Sequence, residues 1–134
     1  MLAEFLSSRY SKDKIMKIPG FIKNRLDNYL FSDVSQHTVF NESDLHSAAY
    51  YYLRKHCIKQ GGREIYVRCE PKIKGYQPDL VIFNRNEPEY LIEFKMFRDV
   101  DFINKEAIEA DIRKCHKLMK ILPSIKRSYV FVVH

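Results

Sequence analysis

The spacing of apolar positions changes several times along the chain, and each change marks an element. Phe21, Ile22, Leu26, Tyr29 and Leu30 recur at helical spacing, so residues 20–32 read as a short amphipathic helix after a break at Ile18-Pro19-Gly20. Residues 2–10 read as another. A longer helix starts at Asn41, a good N-cap, with Asp44 at the third helical position and Phe40 placed to staple against Leu45. Leu45, Ala49, Tyr52, Leu53 and His56 then share one face until Gly61-Gly62 ends the helix.

The period next falls to two. Ile65, Val67 and Cys69 alternate with Tyr66 and Arg68, which predicts a half-buried strand ending before Pro71. Leu80-Val81-Ile82-Phe83 is a continuous apolar run, the pattern of a central strand. Asn84-Arg85-Asn86-Glu87-Pro88 has turn composition, and Tyr90-Leu91-Ile92-Glu93-Phe94 returns as the second arm of a hairpin. From Asn104, the residues Ile108, Ile112, Cys115, Met119 and Leu122 form a helical stripe that Pro123 stops. Tyr129 to Val133 predicts a final buried strand. The order is helix, three strands, helix, strand. It describes an α/β fold with a mixed sheet, because a hairpin makes antiparallel neighbours and a strand–helix–strand connection makes parallel ones.

A length of 134 residues fits one domain: a helical extension over 1–40 and a core over 41–134. At 46% apolar and 30% charged, the composition excludes a disordered chain. No apolar run approaches the ~20 residues of a membrane span. Met1-Leu2-Ala3-Glu4-Phe5-Leu6 does not read as a secretory signal. Three cysteines, Cys57, Cys69 and Cys115, are an odd number without Cys-x-x-Cys spacing. They argue against a disulfide framework or a structural zinc site and for a reducing, cytoplasmic compartment. A net charge of +6 favours a polyanionic partner.

The residues that carry chemistry are Pro78-Asp79 and, after thirteen intervening residues, Glu93-Phe94-Lys95. Asp79 opens the second strand. Glu93 and Lys95 lie two apart on the third strand and share a face, with Phe94 turned into the core. Charged groups on a buried strand are costly unless paired or metal-bound. Two converging carboxylates suit a hard divalent cation, and a lysine beside them can position or deprotonate a water. That combination is what metal-assisted hydrolysis of a phosphodiester requires.

With this motif on this scaffold, the chain resembles the PD-(D/E)xK nuclease superfamily, whose fold is found in restriction endonucleases and Holliday junction resolvases. The resemblance covers residues 41–133. It includes the element order, Pro78-Asp79 as the Pro-Asp pair and Glu93-Phe94-Lys95 as Glu-x-Lys. It implies a metal-dependent nuclease acting on DNA, with Mg²⁺ or Mn²⁺ held by Asp79 and Glu93. It also implies that Glu42, on the first core helix, contributes to the metal directly or through water, and that Lys95 is the catalytic lysine. Small stand-alone members are often homodimeric endonucleases specific for branched DNA. The Gln-x-x-x-Tyr signature of some subfamilies is missing, which leaves the subfamily open. Asp44 competes with Glu42 for the acidic role but fits the cap better and lies about 200° round the helix. His46 is one turn beyond Glu42, and a lone helix histidine reads first as structural.

From 113 to 127 the chain carries six Lys or Arg residues and no acid. Arg113, Lys114, Lys117 and Lys120 on the helix are candidates for phosphate-backbone contact, and Lys114 or Lys117 for approach to the active site. A solvated helix face is the plain alternative. Arg54, Lys55, Lys59 and Arg63 form a second basic patch. Tyr50-Tyr51-Tyr52 face three directions, so at least one belongs to the core. The competing functional expectation is a non-catalytic nucleic-acid-binding or assembly module on the same fold, since fold does not fix function.

Overall fold

The structure is a computed structural model that describes residues 17–36, 39, 41–97 and 103–133. The expected 2–10 helix and the Phe40 staple lie outside those residues. Ile18-Pro19-Gly20 forms the first turn of the helix that follows, after an extended Lys17; the piece before it lies outside the described residues. Pro19 sits in the first turn of α1 (Ile18–Gly20), where its missing N–H leaves no bond unmade. A π-helical segment, Phe21–Leu26, follows, and its wider turn lets Phe21, Ile22 and Leu26 all point inward. Helix α2 (Asp27–Ser35) continues it and buries Leu30. The helical stretch therefore exceeds the expected 20–32 at both ends.

Helix α3 (Glu42–Gly61) starts as its sequence dictates: Asn41 Oδ1 accepts the Asp44 N–H at 2.8 Å. Gly62, at φ 59°, turns the chain out of it. Leu45, Ala49, Leu53, His56 and Cys57 form the buried face. Tyr51 is exposed, while Tyr50 and Tyr52 are half-buried against the core. The N-terminal helices dock here. Phe21 stacks on His56 with centroids 4.0 Å apart, and Tyr29 stacks on Tyr52 at 4.7 Å. The Tyr52 hydroxyl donates to Asp33 at 2.8 Å. Residues 18–35 thus share a core with α3.

Strands β1 (Ile65–Cys69), β2 (Leu80–Asn84), β3 (Glu87–Met96) and β4 (Arg127–Val133) form one sheet in the order β1-β2-β3-β4. The first three are antiparallel neighbours, and β4 runs parallel to β3 after the crossover helix α4 (Lys105–Ile121). This is the expected α/β architecture with a mixed sheet. Leu80, Ile82, Ile92 and Phe94 pack towards α3 and the N-terminal helices. Val81 and Leu91 pack towards α4, with Cys115, Leu118 and Ile125. Burial on both faces explains the continuous apolar runs of β2 and β3. Strand β4 differs from the buried strand expected: it lies at the sheet edge, and its residues are half-buried or exposed.

The β2–β3 hairpin is tighter than its composition suggests. Only Arg85 and Asn86 turn, both at positive φ (52° and 67°), as a type I′ hairpin requires. Asn84, Glu87 and Pro88, expected in the turn, lie in the strands. Ile82 pairs with Tyr90 but Phe83 with Pro88, so Glu89 is an extra residue in a bulge. Asn84 Nδ2 donates to the Glu89 carboxylate at 3.1 Å, Lys126 pairs with it at 3.5 Å, and the Lys126 N–H donates to the Glu89 carbonyl at 2.8 Å. Cys57, Cys69 and Cys115 are free thiols. Among the described residues no helix is long and apolar enough to cross a membrane.

Candidate active site

The bulge decides which side chains meet. With Leu80 paired to Ile92, that register continued outward sets Asp79, just before β2, opposite Glu93. A bulge-free ladder from the same turn would set Ile92 opposite Asp79 and leave Glu93 on the other face. Asp79 is fixed from both sides. Its carbonyl accepts the Glu70 N–H at 2.8 Å, and its Oδ2 accepts the Phe94 N–H at 2.7 Å. Pro78, buried before it, sets the approach.

Glu93 is 1% exposed. Lys114 Nζ, reaching across from α4, lies 2.8 Å from its Oε1. Burial pushes the Glu93 carboxyl up to about 7; the Asp79 charge adds to this, and Lys114 opposes it. At Asp79 burial acts the same way, but the His46 imidazole, the Phe94 N–H and the Glu93 carboxyl outweigh it and hold the group below the usual range. Two adjacent carboxyls are thereby driven apart, one ionised and one poised near neutrality.

Lys95 shares the face of Glu93, yet its Nζ pairs with Asp111 Oδ2 on α4 at 3.5 Å. Asp111 also lies 4.0 Å from Lys114. The cation on Glu93 is therefore Lys114 and not its strand neighbour Lys95. Lys114 was a candidate phosphate contact; it points inward and belongs to the carboxylate cluster. Burial lowers its pKa, but the Glu93 carboxylate more than compensates and raises it. Arg113, Lys117 and Lys120 face solvent, with Arg113 3.9 Å from Glu109.

Glu42 sits on the first turn of α3, where its Oε1 accepts the Met96 N–H at 3.1 Å beyond the end of the pair. It reaches the cluster through its field on His46. His46, one turn later, has Nε2 3.4 Å from Asp79 Oδ2 and its ring against Phe94 at 5.3 Å. The Asp79 carboxylate raises the His46 pKa, with burial opposing. Sequence alone gave His46 only its spacing from Glu42 as a signal. Glu70 carried no signal. It follows β1 at φ 48°, and its carboxylate lies with His46 and Asp79 in a group whose ligating atoms are all within 4.8 Å of one another.

The site thus gathers Asp79, Glu93, Lys95, Lys114 and Asp111 at one end of the sheet, with Glu42, His46 and Glu70 on its α3 side. Two grooves lie elsewhere, one along β1 lined by Tyr50, Tyr66 and Pro71, the other between Ile22 and the β4 edge. Comparison of the chain with protein-family models, curated proteins and solved structures returned no match.

Proposed function

We propose that this protein is a metal-dependent nuclease that hydrolyses phosphodiester bonds of DNA on a restriction endonuclease-like core, as an endonuclease with branched duplexes foremost among its substrates. The observation that carries the reading is the Asp79 carboxyl beside the Glu93 carboxyl, in the register a one-residue bulge sets, with Lys95 two residues on along β3. The donor chemistry fits Mg²⁺ or Mn²⁺: an ionised Asp79 and a Glu93 that a cation would deprotonate. Asp79 and Glu93 would hold the ion, with Glu42 contributing through water. The bound ion supplies Lewis-acid stabilisation of the phosphoryl oxygens and a water of lowered pKa.

The chain's own groups supply the rest. Lys95 Nζ, anchored by Asp111, positions the attacking water. Lys114 balances the Glu93 charge. Arg113, Lys117 and Lys120 meet the phosphate backbone from the exposed face of α4. Homodimerisation would present two such sites to a branched substrate. The test is incubation with plasmid, linear duplex, single strand, branched DNA and RNA in Mg²⁺ or Mn²⁺. Cleavage by the native chain, lost in Asp79→Ala, is the expected result. No cleavage of any substrate, or equal cleavage by the variant, rejects the enzyme.

A further inference from the structure

His46 and Glu70 lie outside the motif that suggested a metal, yet both aim ligating atoms at Asp79. Helix α3, the end of β1 and the start of β2 each deliver one. The three atoms lie within 4.8 Å of one another. Opposite ligands of an octahedral ion stand about 4 Å apart, so one cation can span the group once the side chains close by less than an ångström. His46 Nε2 is buried and makes no hydrogen bond; Asp79, at 3.4 Å, is its charged neighbour. Glu70 is held by its backbone, with its N–H on the Asp79 carbonyl at 2.8 Å and its own carbonyl accepting from Gln77 Nε2 at 3.0 Å. Its exposed carboxylate is the third member of the group.

The donor set is one imidazole nitrogen and two carboxylates. Oxygen-only sites suit Mg²⁺, whereas an imidazole ligand shifts preference to first-row transition ions. We infer that the cation at Asp79 is a divalent transition ion, held by His46 Nε2 and Glu70 as well as by Asp79 and bound in preference to Mg²⁺. The inference rests on the metal use proposed above and names the ion class and two further ligands.

Mn²⁺ is the probe, because its bound form is read by electron paramagnetic resonance without any nuclease activity. The expected result is saturable Mn²⁺ binding at least tenfold tighter than Mg²⁺ by competition, with pulsed-resonance modulation from a directly bound nitrogen. His46→Gln should abolish the nitrogen signal and weaken Mn²⁺ tenfold or more while changing Mg²⁺ less than threefold. Glu70→Gln should weaken both ions. The wild-type nitrogen signal needs no variant, so a misfolded substitution does not shelter the idea. Mn²⁺ bound without nitrogen coupling, or equal affinity for Mn²⁺ and Mg²⁺, overturns the inference. If Mg²⁺ then still supports cleavage, the nuclease reading survives that loss. Nitrogen-coupled Mn²⁺ on a chain that cleaves nothing sinks the nuclease and leaves this site standing.

Discussion

Replacing Glu93 by glutamine should make the metal-free protein more stable than the wild type by a margin that grows from pH 5 to pH 8. The folded Glu93 carboxyl is raised from 4.5 to about 7 by burial. The folded state therefore keeps a proton that the unfolded chain has already released. Its stabilising contribution is full below 4.5 and is lost as pH rises through about 7. The whole loss is roughly 3 kcal/mol, at about 1.4 kcal/mol per tenfold in proton affinity. Glutamine has nearly the same shape and never ionises. At pH 5 the folded wild type is neutral there too, but the unfolded chain is already mostly ionised, so the variant should lead by only about 1 kcal/mol. At pH 8 the variant should lead by up to about 3 kcal/mol, a large part of a normal domain's stability. Asp79 and His46 titrate in both proteins, so the difference between the two pH curves reports Glu93. The assay is urea unfolding followed by circular dichroism at half-unit steps from pH 5 to 8, in EDTA. Parallel curves for the two proteins would refute the argument and mean that the buried carboxyl ionises without penalty. A second arm adds Mn²⁺ at pH 8. Ligand at 100 times Kd stabilises by about 2.7 kcal/mol, and this gain should appear in the wild type and vanish in the variant.

Lys95→Ala should fold and bind Mn²⁺ and DNA, yet lose on the order of 10²-fold or more in single-turnover cleavage. Lys95→Arg should also be poor, because a planar, permanently charged head points its donors differently. Near-wild-type rates at saturating metal would reduce Lys95 to charge balance. Asp111→Asn removes the carboxylate that anchors Lys95 Nζ, and should lower the cleavage rate while leaving DNA affinity unchanged; an unchanged rate would show that Lys95 needs no anchor. The double variant Lys117→Ala, Lys120→Ala should flatten the salt dependence of DNA binding by about two in log–log slope, at ~0.9 per phosphate contact. An unchanged slope would return this face to plain solvation. Leu53→Ala empties a fully buried position beneath the sheet and should cost roughly 2–5 kcal/mol by urea midpoint.

The elements of this fold were legible in the chain because local rules agreed with the global answer. Asn41 caps α3, and Gly62 ends it. The unbroken apolar runs of β2 and β3 announce strands covered on both faces. The acids and Lys95 were legible as residues whose charge a buried hairpin would not carry idly. The apolar run of β4 suggests a buried strand, yet it sits at the edge, because composition reports apolarity and not position in a sheet, and an edge strand has one neighbour. Pro19 lies inside the first helical turn, because a proline there gives up no hydrogen bond and the sequence does not separate that place from a loop.

What the chain could not disclose is which charges meet. Thirteen residues separate Asp79 from Glu93, an odd number that a two-residue turn cannot bridge with a regular ladder. The bulge at Glu89 absorbs the odd residue and brings the carboxylates face to face. Its local mark is Pro88, a proline inside a central strand, while Lys126, 37 positions away, pairs with the bulged Glu89. Lys114 was one cation among six on a basic run, and only the packing of α4 on the sheet turned it onto Glu93. His46 and Glu70 come from separate elements that converge at Asp79 through the sheet. Sequence determines what each element is, because periodicity and caps act within a few residues. The tertiary structure decides the site, because its pairs are joined across strands and helices far apart in the chain, where register and packing alone set the distance.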